Sequence, residues 1–164
     1  MTGAQGNGEN GGAAGIQAVV AAVCADFGNR ADALLEIFHR IQDRLGYVPG
    51  EGLDPIAKAL NLSRAEVHGV FTFYHDFRDA PAGRHVIKLC RAEACQAVGA
   101  DALAAAAEAQ VGTPCGTTSA DGKVTLEAVY CLGNCALGPA ALIDGKLHGI
   151  VNNSKLEDIT KSFD

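Results

Sequence analysis

Apolar side chains in the first half of the chain return every three or four positions. Ile16, Val19, Val20, Val23 and Phe27 form one such stripe, stopped by Gly28, and Leu34, Leu35, Phe38, Ile41 and Leu45 form a second, closed by Gly46. Both patterns predict amphipathic helices, with Gly46 as a left-handed cap. Asp54 as cap and Pro55 as first helical residue predict a short helix reaching Leu60. Ser63 and Glu66 have the spacing of a capping box, which starts a fourth helix running towards Tyr74.

Near Pro81 and Gly83 the period shortens to that of extended chain. Residues 85–89 read as a strand ending at Cys90, and an Ala-rich stretch at 97–111, stopped by Gly112, reads as a helix. Residues 124–129 alternate behind an Asp121-Gly122 turn and lead to Cys131. A hairpin at 141–143 and 146–151 turns on Asp144-Gly145, and Leu156, Ile159 and Phe163 mark a closing helix. The fold class is α+β. A flexible Gly-rich tail at 1–15 precedes a helical bundle at 16–80, and an α/β domain with a central sheet occupies 81–164.

Composition narrows the chemistry. With 164 residues the chain has room for one ordinary domain or a small domain with a helical extension. Six Phe, three Tyr and no Trp leave a modest core that a bound group would help. A net charge of -6 and a pI near 5.3 argue against nucleic acid and anionic membrane surfaces. No stretch approaches the roughly 18 apolar residues of a membrane span. No basic residue precedes Arg30, so no secretory signal is read and the cytoplasm is the expected compartment.

Six cysteines in a reducing compartment point to metal rather than disulfides. Cys90 and Cys95 are separated by four residues, Cys131 and Cys135 by three, and 35 residues lie between the pairs. Two local thiolate pairs are what a two-iron cluster requires: Cys90 and Cys95 on one iron, Cys131 and Cys135 on the other, with a crossed assignment left open. Gly133 and Gly138 are expected to let backbone amides approach sulfur, and the helix after Cys95 to point its positive end at the cluster. A structural zinc in an interaction module takes the same four ligands and stays open, as does a thiol redox enzyme, although no pair has the Cys-x-x-Cys spacing.

The block Tyr130-Cys131-Leu132-Gly133-Asn134-Cys135-Ala136-Leu137-Gly138-Pro139-Ala140, with Cys90-x4-Cys95 upstream, resembles the thioredoxin-like [2Fe-2S] ferredoxin family. That family includes the small iron-sulfur subunit of respiratory complex I, its counterparts in NAD-reducing hydrogenases, and the gamma subunit of NAD-dependent formate dehydrogenases. The resemblance spans residues 16–164, since Phe38 to Tyr47 and Ser63 to Tyr74 look like the family's helical extension. Phe73-Tyr74-His75-Asp76-Phe77-Arg78 and the run from Pro81 to Gln96 look most like the formate dehydrogenase gamma subunit. Complex I members more often carry other residues between the first two cysteines and a His where this chain has Gln96.

The resemblance implies an electron-transfer subunit with no catalytic site of its own. Its single [2Fe-2S] cluster, held by Cys90, Cys95, Cys131 and Cys135, would exchange electrons with a flavin (FMN) on a neighbouring subunit that reduces NAD. Formate oxidation would belong to a separate molybdenum- or tungsten-dependent subunit.

Other features are read as ordinary structure. Gly6-Asn7-Gly8-Glu9-Asn10-Gly11 matches a dinucleotide fingerprint only in letters, because no strand precedes it. Asn152-Asn153-Ser154 matches a glycosylation acceptor without an export route to use it. Cys24 and Cys115 are read as core thiols, and His68 and His75, beside the aromatic residues at 70–77, as packing residues with partner contact as the alternative. His148 is given no role.

Overall fold

The computed structural model describes residues 13–163. The fingerprint-like string at 6–11 lies outside them. The chain divides into two compact units, with the division between Pro81 and Ala82.

The first unit is four helices: α1 (Ala13–Asp26), α2 (Leu34–Leu45), α3 (Leu53–Leu60) and α4 (Arg64–Phe73). Helix α1 begins three residues before the apolar stripe, because Ala13 and Ala14 favour helix whether or not they face the core. The stripes bury Val20, Val23, Ile37, Phe38, Ile41, Ile56, Leu60 and Val67 in one core. Phe38 is its centre, with the rings of Phe77 and Phe71 at 5.1 and 5.9 Å. Gly46 closes α2 at φ 82, as its place in the pattern predicts.

Asp54 does not cap α3. The helix starts two residues earlier, with Gly52 at its N-cap, and Asp54 in the first turn pairs with Arg64 at 2.7 Å. The capping box of α4 is complete: Glu66 N–H donates to Ser63 Oγ at 3.2 Å, and Ser63 N–H to Glu66 Oε2 at 2.8 Å. Past α4, the Gln42 amide pins the chain at both ends, donating to Asp76 O and accepting from Arg78 N–H, each at 2.8 Å. That seats Phe77 in the core.

The second unit has a five-stranded sheet in the order β2-β3-β1-β4-β5. The strands are β1 (His85–Cys90), β2 (Thr117–Thr118), β3 (Val124–Val129), β4 (Ala141–Ile143) and β5 (Lys146–His148). β1 and β3 run parallel, from His85 opposite Val124 to Cys90 opposite Val129, and the other neighbours are antiparallel. The hairpin β4–β5 turns on Asp144 and Gly145, both at positive φ, the two-residue turn that their identities predict.

Three helices complete the unit: the single turn α5 (Glu93–Gln96), α6 (Ala100–Val111) and α7 (Asn153–Thr160). Leu103, Ala104 and Ala107 of α6 bury with Ile87, Leu89, Leu126, Ile143 and Leu156 in a second core. Small alanines let α6 lie close to β1 and β3. Mixed helix and sheet, with a parallel pair at the centre, is a thioredoxin-like α/β arrangement. Among the described residues no helix is long and apolar enough to cross a membrane.

Candidate metal centre

Parallel pairing of β1 and β3 sends both strands out of the sheet at the same edge. Cys90 is the last residue of β1, and Cys131 follows β3 by two residues. The two cysteine loops therefore begin side by side, although 40 residues separate Cys90 from Cys131 in the chain.

The four thiols come together as two pairs. Cys90 and Cys95 are both buried and pack in one cluster with Ala100 and Ala140. Cys131 and Cys135 are exposed, with their sulfurs 3.9 Å apart. The pairs also sense each other, since charge on Cys90 and Cys135 is felt across the loops. Among the described residues no three His, Cys, Asp or Glu side chains gather as they would around a single metal ion.

Peptide groups face the sulfurs. Burial pushes the Cys90 thiol up, but the amides of Ala92, Leu132 and Cys131, with the Cys95 thiol, outweigh it and hold Cys90 below the usual thiol range. Burial and the neighbouring Cys90 push Cys95 up against the pull of the Ala140 amide. Cys135 is raised chiefly by its bond to Cys131 and by that thiol's charge. Gly133 N–H donates to Cys131 Sγ at 3.4 Å. The amides of Cys131 and Leu132 favour the ionised sulfur of Cys90, on the opposite loop, so the second loop helps to solvate a thiol of the first.

The two glycines act differently from each other. Gly133 brings its amide to sulfur as expected, and its φ of 73 is what requires glycine, since a methyl there would meet nothing within 4 Å. Gly138 does not: its N–H donates to Cys135 O, and its role is steric, because a methyl there would lie 3.0 Å from Val98 Cγ2 and 3.5 Å from Cys95 Sγ. Cys131 itself sits at φ 125, a strained conformation for a side-chain-bearing residue, of the kind that clusters at ligand sites.

The expected helix end also differs. Cys95 lies inside the one-turn α5, and Gly99 at φ 99 breaks the chain before α6 opens at Ala100. Ala100 packs against Cys90 and Cys95, but the amides that reach sulfur belong to loop residues. The Ala-rich composition hides that break, because Ala97 has the same helix propensity as the alanines beyond it.

The remaining cysteines stand apart. Cys24 is buried in the first unit's core, and Cys115 is half-buried against the second, its amide donating to Glu108 Oε1 at 2.9 Å. Burial pushes both thiols up. His68 and His75 are exposed, against the packing expected of them: α4 turns only Val67 fully inward, and His75 lies in the turn beyond the helix. His148 is half-buried, and burial, with Lys146 and Lys155 near it, pushes it below the usual histidine range.

Soft thiolates in two pairs, ringed by N–H donors, suit an anionic cluster of two metals. Residues 20–164 match the family description "Thioredoxin-like [2Fe-2S] ferredoxin". This chain belongs to that family. Within the thioredoxin-like ferredoxins it is 34% identical to the E subunit of the NADH-quinone oxidoreductase of Pseudomonas aeruginosa, covering 80% of this chain and 79% of that one. It is 30% identical to the NADP-reducing hydrogenase subunit HndA of Solidesulfovibrio fructosivorans, over 79% and 76% of the two chains. An NAD+-reducing [NiFe]-hydrogenase crystal structure shares the fold of this ferredoxin, with a TM-score of 0.69 and 23% identity over 81% of the chain. The present chain spans only 23% of that hydrogenase chain.

The residues present fit the family's cluster. Cys90, Cys95, Cys131 and Cys135 would hold it. Sequence spacing alone points to these four; it is silent on the amides of Ala92, Leu132 and Ala140, which only the folded loops bring to sulfur.

Proposed function

We propose that this chain is the small electron-carrying subunit of an NAD(P)-linked oxidoreductase complex, with Cys90, Cys95, Cys131 and Cys135 as the ligands of one [2Fe-2S] cluster. The convergence of two thiol pairs and their amide donors on one sheet edge carries the reading. When bound, such a cluster takes up and releases one electron at a time. The protein's part is to neutralise charge. Loop amides, with no added carboxylate in the thiol set, offset the negative charge of four thiolates.

Val98, Leu137 and Ile150 are large, exposed and apolar, and each contacts or adjoins the loops that carry the cysteines. Such surface beside a redox site suits a docked neighbour. The partner in this reading is a flavin- and NAD-binding subunit, with FMN and NAD bound there and not here. The helical residues 16–80 serve as an extension of the cluster domain at 81–164. Six thiols outside disulfides suit the reducing cytoplasm.

The finer assignment is the gamma subunit of a formate dehydrogenase, beside a molybdenum- or tungsten-dependent formate-oxidising subunit. It rests on the residues from Phe73 to Gln96. The relatives named for NADH-quinone oxidoreductase and a hydrogenase give better support to the alternative, the equivalent small subunit of those complexes.

Anaerobic reconstitution of the full chain tests the ligand reading. The expected product is red-brown, holds about two iron and two acid-labile sulfide per chain, and bleaches with dithionite. A colourless protein that retains only zinc would overturn it. Identifying the subunits that co-purify with the chain then separates formate, hydrogen and quinone as the partner chemistry.

A further inference from the structure

The turn that carries Cys135 has little support of its own. One turn of 3-10 helix, Cys135–Leu137, is closed by Leu137 N–H on Asn134 O at 3.0 Å and Gly138 N–H on Cys135 O at 3.3 Å. Its outer backing comes from residues 149–151, just after β5. Ile150 N–H donates to Leu137 O at 2.7 Å, and Val151 N–H to Pro139 O at 2.9 Å.

Gly149 meets the turn with no clearance. A methyl on its Cα would fall 2.7 Å from Leu137 Cβ, 2.8 Å from Asn134 Nδ2 and 3.0 Å from Leu137 O. The Asn134 amide can swing aside. Leu137 Cβ and O cannot, because they belong to the turn itself and move only with Cys135.

The backing segment is held under strain. Ile150 has φ 50, a left-handed conformation that β-branched residues rarely adopt and that persists only where surroundings over-determine it. Here the bonds to Leu137 and Pro139 lie on one side, and on the other Lys155 Nζ donates to Gly149 O at 2.7 Å. Lys155 is itself fixed at the start of α7, where its N–H donates to the Asn152 side chain at 2.9 Å.

We infer that residues 149–151, anchored by Lys155, form a clamp that sets the position of the Cys135 turn, with Gly149 as the positioning residue. The inference rests on the reading of Cys131 and Cys135 as cluster ligands. Partners that orient metal ligands without touching the metal cost about 10- to 100-fold in affinity when lost. The clamp is such a partner, acting through backbone.

The test uses the full chain, reconstituted anaerobically, as wild type and as Gly149→Ala, Gly149→Ala with Leu137→Gly, Lys155→Met and Gly145→Ala. The readouts are the EPR g values of the reduced protein and the rate of cluster loss to EDTA. Gly149→Ala should shift the g values and speed cluster loss about tenfold or more. Adding Leu137→Gly should return both part of the way towards wild type, because it removes the nearest colliding carbon and leaves only the looser contact with the residue 137 carbonyl. Gly145→Ala strains a turn remote from the thiols (φ 76), so it should lower the melting temperature and leave the g values alone. Wild-type g values and loss rate in Gly149→Ala overturn the clamp, as does an equal effect of Gly145→Ala.

If Gly149→Ala fails to fold, Lys155→Met decides by the same readouts, with faster cluster loss expected and an unchanged rate overturning the clamp. Wild-type chain that takes up no iron and sulfide refutes the ligand reading separately. The clamp is then judged on the cluster-free chain, where the Leu137 and Gly138 amides should exchange with solvent faster in Gly149→Ala. Unchanged exchange there overturns it.

Discussion

A thiolate that accepts peptide N–H groups loses part of its charge to them without giving up its softness, and Cys90 is placed to do so with three amides. Serine at a ligand position keeps the size and loses the softness. Cys131→Ser should therefore abolish or strongly distort the visible bands and lower bound iron, whereas Cys24→Ser should keep both; absorption and iron analysis check the contrast. Gly138→Ala should cost about 1 kcal/mol by crowding Val98 and Cys95, since Val98 is exposed and gives way in part. Thermal unfolding checks that, and a loss several times larger would mean the loop cannot shift. At this scale the pairing of the thiols was legible, because Cys90 with Cys95 and Cys131 with Cys135 are close along the chain. His68 and His75 were misread, since aromatic density along 70–77 says neither which side of α4 faces inward nor that the helix stops at Phe73, before His75. Gly149 left no trace in the pattern, because its constraint comes from Leu137, met only across a loop.

Helix α4 begins on a reciprocal pair, and its contribution depends on acid. The Ser63 amide, then its hydroxyl, hold the Glu66 carboxyl below the usual carboxylate range. A depressed carboxyl stabilises fully above its unfolded value, about 4.3 for glutamate, and that stabilisation fades as the pH falls through the folded value. Melting curves of wild type and Glu66→Gln should thus differ at pH 7 and converge on acidification below about pH 4; a gap that widens in acid would refute the linkage. Ser63→Ala should lower stability by about 1 kcal/mol, the common cost of a lost N-cap, measurable by denaturant unfolding. α2, with a period and its stop at Gly46, was readable to the residue, whereas the starts of α1 and α3 were off by three and two. Two features left less trace still. β2, only two residues long, is too short to show alternation, and its pairing with β3 is a tertiary event. The α5–α6 break is marked by Gly99 alone within a run of alanines.

Each of the two units has a core of its own, and Phe38 is the largest fully buried side chain of the first. Phe38→Ala should destabilise the helical unit by about 3–5 kcal/mol, followed by far-ultraviolet circular dichroism. The visible bands of reconstituted protein should persist at temperatures where the helices have begun to melt; their loss at the same temperature would show that the cluster domain depends on the bundle. The change of hydrophobic period near Pro81 made the α+β order legible, whereas strand order was not, because a parallel neighbour 39 positions away leaves no local mark. That neighbour also decides how the family can vary. Since β1 and β3 bring their cysteines to one edge by lateral register alone, the length of chain joining them is irrelevant to sulfur spacing. Natural insertions and deletions should accumulate at 112–123, where the connection turns back, while even one residue added within 90–95 or 131–135 would change the distance between paired sulfurs.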